Sequence, residues 1–407
     1  RGWRRGCEAA AFRDLGAIGI RASADSDLAR QPSLRIDDEG VQPAGLPTER
    51  AFDELCERCS LEQVLERPLR CGVADDDDPL DAGFAASAQG VFAQTFLQFS
   101  DRMVNNNRLQ LGSSLLKKNA AVFAKIQQQF GVPGPVLVGF WGLETDFGKV
   151  MGNMETLRSL ATLAFDCRRP EEFKEQLLNA LRVVQRGDLA PAEMRGPWAG
   201  EVGQFQFVPK VYFEYAVDFD GNGKRDLVKS TPDALASAAN YLKGLGWQAG
   251  QPWLEEVRVP DEMDWASADV TIKKPRAFWA KQGVTYPNGK AVPADNTPTS
   301  LVLPMGRNGP AFLAYPNFDV YLQWNQSLVY STSAGYYATR LAGAPAMSRG
   351  KGPLEPLSQA QTKQLQQILT KRGYNVGKID GVVGAASRNA IREMQAVEMV
   401  YAPSTQT

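Results

Sequence analysis

The chain has 407 residues, room for two or three domains with at least one large core, and its 43% apolar and 22% charged residues are those of an ordinary globular protein. A net charge of -1 gives no general attraction to nucleic acid or anionic lipid, so no nucleic-acid partner is expected. The sequence contains no histidine, which excludes Ser-His-Asp and Cys-His nucleophile systems and every histidine-based metal site and leaves acid-base work to carboxylates, lysine or tyrosine.

Residues 1–88 combine an Arg-rich start, the stretch "VQPAGLPTE" and the acidic "DDDDPLD", which together interrupt any periodicity and predict loops and short helices. Cys7, Cys56, Cys59, Cys71 and Cys167 are an odd set without a clear second pair; a zinc knuckle stays open, but unpaired or partly disulfide-linked thiols are favoured. The start "RGWRRGCEAAAF" lacks the apolar centre of a signal peptide, so an export leader is expected to lie outside this chain.

From Phe92 the pattern turns helical. In "SLLKKNAAVFAKIQQQFGVP" the apolar positions 116, 120, 123, 126 and 130 share one face of a single predicted helix, which Gly131 and Pro133 end. The next helix starts near Pro135 and ends in "GFWGLETDFGKV", where Glu144 closes an almost wholly apolar run. An ionised carboxylate beside Phe140 and Trp141 costs several kcal/mol, so this acid tends to keep its proton near neutral pH and can donate it to a glycosidic oxygen. On spacing alone, a Glu that caps the helix or forms a salt bridge is the commoner explanation. Asp146 reads as a polar residue of the following turn.

Further along, "PWAGEVGQFQFVPKVYFEYAVDFDGNGKRDL" joins Gly-rich backbone, two amides and many aromatics, a composition suited to stacking and hydrogen bonding with sugars. Phe205, Phe207 and Phe213 read as ordinary core, whereas Gln204, a long amide between glycines, is the better candidate for a binding residue. Within this stretch "DFDGNGKRD" offers oxygens at Asp218, Asp220 and Asn222, a sharp turn at Gly223 and the carbonyl of Lys224, the first half of an EF-hand loop. Lys229 occupies the place of the usual bidentate Glu, and Asp233 can close the site. A structural calcium and a metal-free hydrogen-bonded turn both fit; no organic cofactor is expected.

The segment "TPDALASAANYLKGLGW" predicts a helix with Thr231 as N-cap, Pro232 in the first turn and Gly244 and Gly246 at its end. Residues 250–315 alternate Val, Thr and Pro with charges and carry an Asn-Gly turn, which predicts short strands or an elaborated loop. A Gly/Pro/Lys stretch then reads as a linker over 346–356 to a C-terminal unit, 357–407, with Leu365, Ile368 and Leu369 facing Ala390, Ile391 and Met394.

"GFWGLETDFG", the long block at 197–227, "TPDALASAANYLKGLGW" and "NFDVYLQWNQSLVY" resemble, in this order, the signature blocks of the B-type lytic murein transglycosylases. The resemblance implies a mainly α, α+β fold: a lysozyme-like catalytic region over 89–345 with a small β-containing insertion at about 250–315. It implies cleavage of the bond between N-acetylmuramic acid and N-acetylglucosamine with a 1,6-anhydromuramoyl product, and Glu144 as the single acid and base. A non-catalytic glycan-binding scaffold and a lysozyme-like hydrolase are the alternatives. By the same resemblance Gln204, Tyr241, Asn325, Ser327 and Tyr330 line the saccharide groove, and Arg168 and Arg169 of "CRRPEEF" either face it or form a solvated pair. Pro197 and Trp324 depart from the frequent Ser and Tyr. The C-terminal unit resembles the peptidoglycan-binding type 1 module, a three-helix bundle, although "AVEMVYAPSTQT" stands where relatives continue with a third helix, so an incomplete module is expected. The implied partners are peptidoglycan strands and cell-wall synthesis or divisome proteins, the implied state a monomer, and the implied place the periplasm or cell envelope.

Overall fold

The computed structural model of the chain describes residues 94–166, 169–352, 354 and 357–401, all within one of the two units into which the chain divides, Asp75–Thr407. The expectations for residues 1–88, for all five cysteines and for Arg168 fall outside the described residues.

Four helices lead to the site: α1 (Phe96–Met103), α2 (Asn106–Lys118), α3 (Ala120–Phe130) and α4 (Gly134–Thr145). The single helix predicted across 114–130 is two, because Asn119 leaves the helical region at φ -106°, ψ 23° and its side-chain amide donates to the Leu115 carbonyl at 3.1 Å. That break turns Ala120 to solvent, while Phe123, Ile126 and Phe130 keep the buried face before Gly131 ends α3 at φ 77°.

Nearly every residue of α4 is buried, so it has no polar face and forms the central helix of the core. It packs on α11 (Leu328–Leu341), most tightly at Gly142, where a Cβ would come 3.0 Å from the Tyr337 ring, whereas one at Gly139 would meet the Ala334 carbonyl oxygen at an ordinary contact distance of 3.5 Å. Around this pair lie α5 (Thr156–Ala164), α6 (Pro170–Gln185), α7 (Pro209–Tyr215), α8 (Thr231–Gly244) and α10 (Pro316–Trp324). The cap of α8 is Ser230, whose hydroxyl accepts from Asp233 N at 3.3 Å, one residue before the expected Thr231. A two-stranded ladder, β1 (Met154–Glu155) against β2 (Arg195–Gly196), ties the turn after α4 to the loop that follows α6.

The insertion at 250–315 is an antiparallel sheet of β3 (Leu254–Val257), β4 (Lys274–Pro275), β5 (Pro298–Val302) and β6 (Ala311–Ala314) in the order β3-β6-β5-β4, with α9 (Arg276–Lys281) against it. It has its own core around Trp279, Leu301, Leu313 and Tyr315. The Asn288-Gly289 turn is present, with Gly289 at φ 81° and Tyr286 N donating to the Lys290 carbonyl at 2.8 Å. "DVTIKKP", by contrast, contributes only the two residues of β4.

The stretch read as a linker is bound along its described length. Ser348 N donates to Glu256 Oε1 at 2.6 Å, Arg349 grips Asp101 through two bonds of 3.0 Å, and Lys351 meets Asp261 at 2.8 Å. The C-terminal unit pairs α12 (Gln359–Lys371) with α13 (Ala385–Tyr401) over Leu369, Val376 and Ala390, whereas Ile368 is exposed rather than inward as expected. Among the described residues no helix is long and apolar enough to cross a membrane.

Candidate active site

Glu144 lies in the last turn of α4. Its Oε1 accepts a hydrogen bond from Trp324 Nε1 at 2.8 Å and a very short one from the Tyr330 hydroxyl. These donors come from α10 and the first turn of α11, brought together by the short connection Asn325–Ser327. Burial pushes the Glu144 carboxyl above the usual range, the bonds from Tyr330 and Trp324 pull it back down, and the charge of Glu201 pushes it up. Its microenvironment therefore favours the protonated acid, as the apolar run predicts.

The turn that ends α4 is unusual. Asp146, Phe147 and Gly148 are successively left-handed, with φ of 49°, 64° and 81°. Asp tolerates that region, but Phe does not readily, and neighbours hold it there. Phe147 N donates to the Trp141 carbonyl at 3.1 Å, and the ring meets Trp141 edge-on with centroids 5.6 Å apart. Asp146 pairs with Arg108 of α2 at 3.1 Å, in keeping with its reading as a turn residue. Thr145 fixes the opposite side: its hydroxyl donates to the Gln204 carbonyl at 2.7 Å and accepts from Gly148 N at 2.9 Å.

The loop 200–207 packs on Trp324, one of the donors to Glu144. Phe205 and Phe207 contact the Trp324 ring at centroid distances of 6.2 and 5.6 Å, and Tyr241 contacts it at 5.4 Å. Phe205 and Phe207 are buried, as expected, and Tyr241 stays half-buried against Phe207 and Tyr215. Gln204 differs from expectation: its side chain is buried and its amide donates to the Val228 carbonyl at 3.1 Å, so it braces the loop against the residues before α8. The neighbouring amide, Gln206, is half-buried at φ 51° and donates to the Met151 carbonyl at 3.3 Å.

Asn325 and Ser327 shape the α10–α11 corner. Asn325 Oδ1 accepts from Ser327 N at 2.9 Å and Ser327 Oγ caps α11 by accepting from Tyr330 N at 3.3 Å, which sets the Tyr330 side chain towards Glu144. Arg169 pairs with Glu172 at 3.5 Å, lies over the Phe173 ring at 4.9 Å and is about half exposed. Two residues escaped the sequence reading. Trp324 stood out only as a departure, although its N–H supplies one of the two bonds to the acid, and Glu201 was passed over within its block.

Asp218, Asp220 and Asp233 bring carboxylate oxygens within 4.8 Å of one another. Asp233 is buried and accepts from the N–H groups of Phe219, Asp220 and Asp226 at 2.8, 3.1 and 3.0 Å, so the loop folds around it. Burial raises the Asp233 carboxyl, its three backbone bonds lower it, and the charge of Asp220 raises it again. Lys229, in the place of the missing Glu, turns away to an ion pair with Glu193, and Asn222 Oδ1 accepts from Lys224 N at 2.9 Å. Three oxygen donors on one side of a tight loop fit a hard cation.

The family model for the transglycosylase SLT domain matches residues 73–339, and a model for a peptidoglycan binding domain matches residues 358–398. The chain belongs to the transglycosylase SLT domain family. The membrane-bound lytic murein transglycosylase B of Escherichia coli is 35% identical over 156 residues, 38% of this chain and 43% of that protein, so the chain spans less than half the length of this curated relative. Among solved structures, SltB3 from Pseudomonas aeruginosa in complex with NAG-anhNAM-pentapeptide is 37% identical with a TM-score of 0.72, over 86% of this chain and 95% of that one. The Escherichia coli lytic transglycosylase Slt35 in complex with calcium is 26% identical with a TM-score of 0.58, over 72% and 92% of the two chains. These neighbours agree with the mainly α, lysozyme-like class expected from the sequence.

Proposed function

We propose that the chain is a lytic transglycosylase that cleaves the MurNAc-β-1,4-GlcNAc bond of peptidoglycan without water and leaves a 1,6-anhydromuramoyl end. The observation that carries this is the setting of Glu144: one carboxyl at the end of a buried apolar helix, partly shielded and fixed by Trp324 and Tyr330, with its burial biasing it to hold its proton. Glu144 gives its proton to the glycosidic oxygen as the bond to C1 of the muramoyl residue breaks. The resulting carboxylate then takes the proton of that sugar's C6 hydroxyl as its oxygen bonds to C1. The departing N-acetylglucosamine carries the first proton and the acid is regenerated, so one carboxylate completes the cycle. The anhydro sugar in the SltB3 complex is the product type this route makes.

Tyr241 and the aromatic wall around Trp324 are the stacking surface in this reading, and Asn325 and Ser327 serve it by orienting Tyr330. Gln204 acts as a brace, and Arg169 lies at the edge of the assignment. The second module, matched over 358–398, adds a contact to peptidoglycan in this reading, and the match supports action in the periplasm or cell envelope. Asp218, Asp220 and Asp233 hold calcium with help from Asn222 and the Lys224 carbonyl, a reading supported by the carboxylate cluster and by the calcium complex of Slt35.

Glu144→Gln keeps the size and the acceptor of the side chain but removes its transferable proton. Release of soluble muropeptides from purified sacculi is expected to fall by about 100- to 10,000-fold, while the variant still pellets with them. Release at the wild-type rate would remove Glu144 from the centre of the reaction. Equal binding with no release by either protein would instead favour a scaffold.

A further inference from the structure

A cavity of about 440 Å³ opens beside the turn that follows the acid, and the mechanism above gives it no work. It is lined by Arg102 and Met103 at the end of α1, Asn105, Asn107 and Arg108 at the start of α2, and Asp146, two residues after Glu144. Consecutive Cα atoms are 3.8 Å apart, so the Asp146 backbone is at most about 7.6 Å from that of the acid. Part of the wall is fixed. Arg108 Nε donates to Asp146 Oδ1 at 3.1 Å and its Nη1 to the Met103 carbonyl at 3.2 Å, while its own carbonyl accepts from the Tyr337 hydroxyl at 2.7 Å. Asn105 is occupied as well: Oδ1 accepts from Arg108 N and the amide donates to the Arg102 carbonyl, both at 3.0 Å.

The remaining polar side chains of the wall are idle. Among the described residues no carboxylate pairs with Arg102 and nothing bonds the Asn107 amide, although both are exposed at the cavity. The acids nearest to Arg102 are taken, Asp101 by Arg349 through two bonds of 3.0 Å and Asp146 by Arg108, with Lys149 a further 3.9 Å from it. The Arg102 guanidinium lies over the buried Phe99 ring, 5.4 Å from its centroid, a contact made by its face that leaves its N–H edge open. The cavity thus carries two guanidinium groups against one carboxylate that is already paired. An open guanidinium fork matches the two oxygens of a carboxylate, and a side-chain amide adds another donor.

We infer that this cavity binds a carboxylate of the peptide stem carried by the muramoyl residue, held by the Arg102 guanidinium and the Asn107 amide. The inference rests on the reading of peptidoglycan as the substrate and Glu144 as the acid. The stem leaves, through the lactyl group, the same sugar whose C1 reacts at Glu144, and its first free carboxylate belongs to its second residue. At up to about 3.6 Å per residue, the lactyl group and two residues span roughly 10 Å, the reach from the reacting sugar to a cavity that adjoins the catalytic turn. Asp146 would repel such an anion if it stood alone. Its pairing with Arg108 removes that objection and leaves Arg102 as the cation without a counter-charge. The site would make the enzyme favour strands that still bear their stems over strands from which the peptides have been removed.

The test is the ratio of kcat/KM on soluble glycan strands with and without peptide stems, measured for the full chain as wild type, Arg102→Ala and Arg102→Lys. Wild type is expected to favour the strands that carry stems, and the Ala variant to lose about tenfold of that ratio. The Lys variant, which keeps the charge but not the fork, is expected to lie between the two. Equal ratios for wild type and the Ala variant would overturn the inference, whatever the rates. A second measurement is independent of catalysis: the side-chain N–H signal of Arg102 is followed by NMR while the wild-type chain is titrated with acetyl-L-Ala-γ-D-Glu-diaminopimelate and, separately, with inorganic phosphate. The peptide is expected to shift the signal and phosphate at the same concentration to leave it in place. No shift with the peptide, or an equal shift with phosphate, would overturn the inference. If Glu144→Gln retains activity, the acid assignment fails and the titration still decides the cavity. If it is inactive and the peptide leaves Arg102 unmoved, only the role of the cavity fails.

Discussion

At the scale of residues, the site is one carboxyl set between opposing influences: burial and Glu201 favour its proton, and Tyr330 and Trp324 favour its charge. Tyr330→Phe removes a donor that stabilises the ionised form, so the Glu144 carboxyl rises further and the alkaline limb of kcat/KM is expected to shift upward by about one pH unit. A downward shift in the Phe variant would contradict the hydrogen-bond geometry. The acid was legible through its setting: spacing alone leaves a cap or salt bridge as the commoner explanation of a lone Glu, and the flanking blocks that resemble the transglycosylases single it out. Its partners were less so. Trp324 and Tyr330 lie 180 and 186 residues away along the chain, and only folding brings them within hydrogen-bond distance. Gln204 misled for a local reason: an amide among glycines reads as exposed, but the Val202–Phe207 bridge turns it inward to Val228.

At the scale of elements, glycines decide where backbone approaches backbone. Gly196→Ala would place a methyl against the Glu201 carbonyl, a backbone atom with nowhere to go, and is expected to destabilise the protein by about 1–3 kcal/mol in urea unfolding and to impair activity through the displaced loop. Gly139→Ala, in the helix that carries the acid, meets its neighbours at ordinary contact distance, and the gain in helix propensity makes it neutral or stabilising by up to about 1 kcal/mol. Equal effects of the two changes would show that the loop is not held where it is described. End signals located α4 and α8, since α4 is apolar all round and has no periodicity to read. Periodicity missed the break at Asn119, since a polar residue on the outer face of a helix and one that ends it give the same pattern. Alternation at 250–315 left short strands and an elaborated loop both open, and the order of the four strands depends on pairing between segments far apart in sequence, which alternation does not encode.

At the scale of the whole molecule, the acidic loop 218–226 lies between the bracing loop at Gln204 and α8, which carries Tyr241, so an ion there would set the spacing of two cleft walls. Calcium at about 100 times its Kd would add about 2.7 kcal/mol of stability. A chelator is therefore expected to lower the Tm of the wild type by several degrees and calcium to restore it, with Asp218→Ala losing that response. A wild-type melt unmoved by either addition would remove the ion from the account. The bound strap at 346–351 is another feature of this scale: Gly, Pro and Lys read as a free linker, and the ion pairs with Asp101 and Asp261 that tie it down join residues far apart in the chain. The central claim is that the sugar's own hydroxyl, not water, completes the reaction under Glu144. Mass analysis of the muropeptides released from purified peptidoglycan tests it directly. The account predicts 1,6-anhydromuramoyl ends, lighter by one water than the hydrolytic product, and reducing ends as the main product would contradict it.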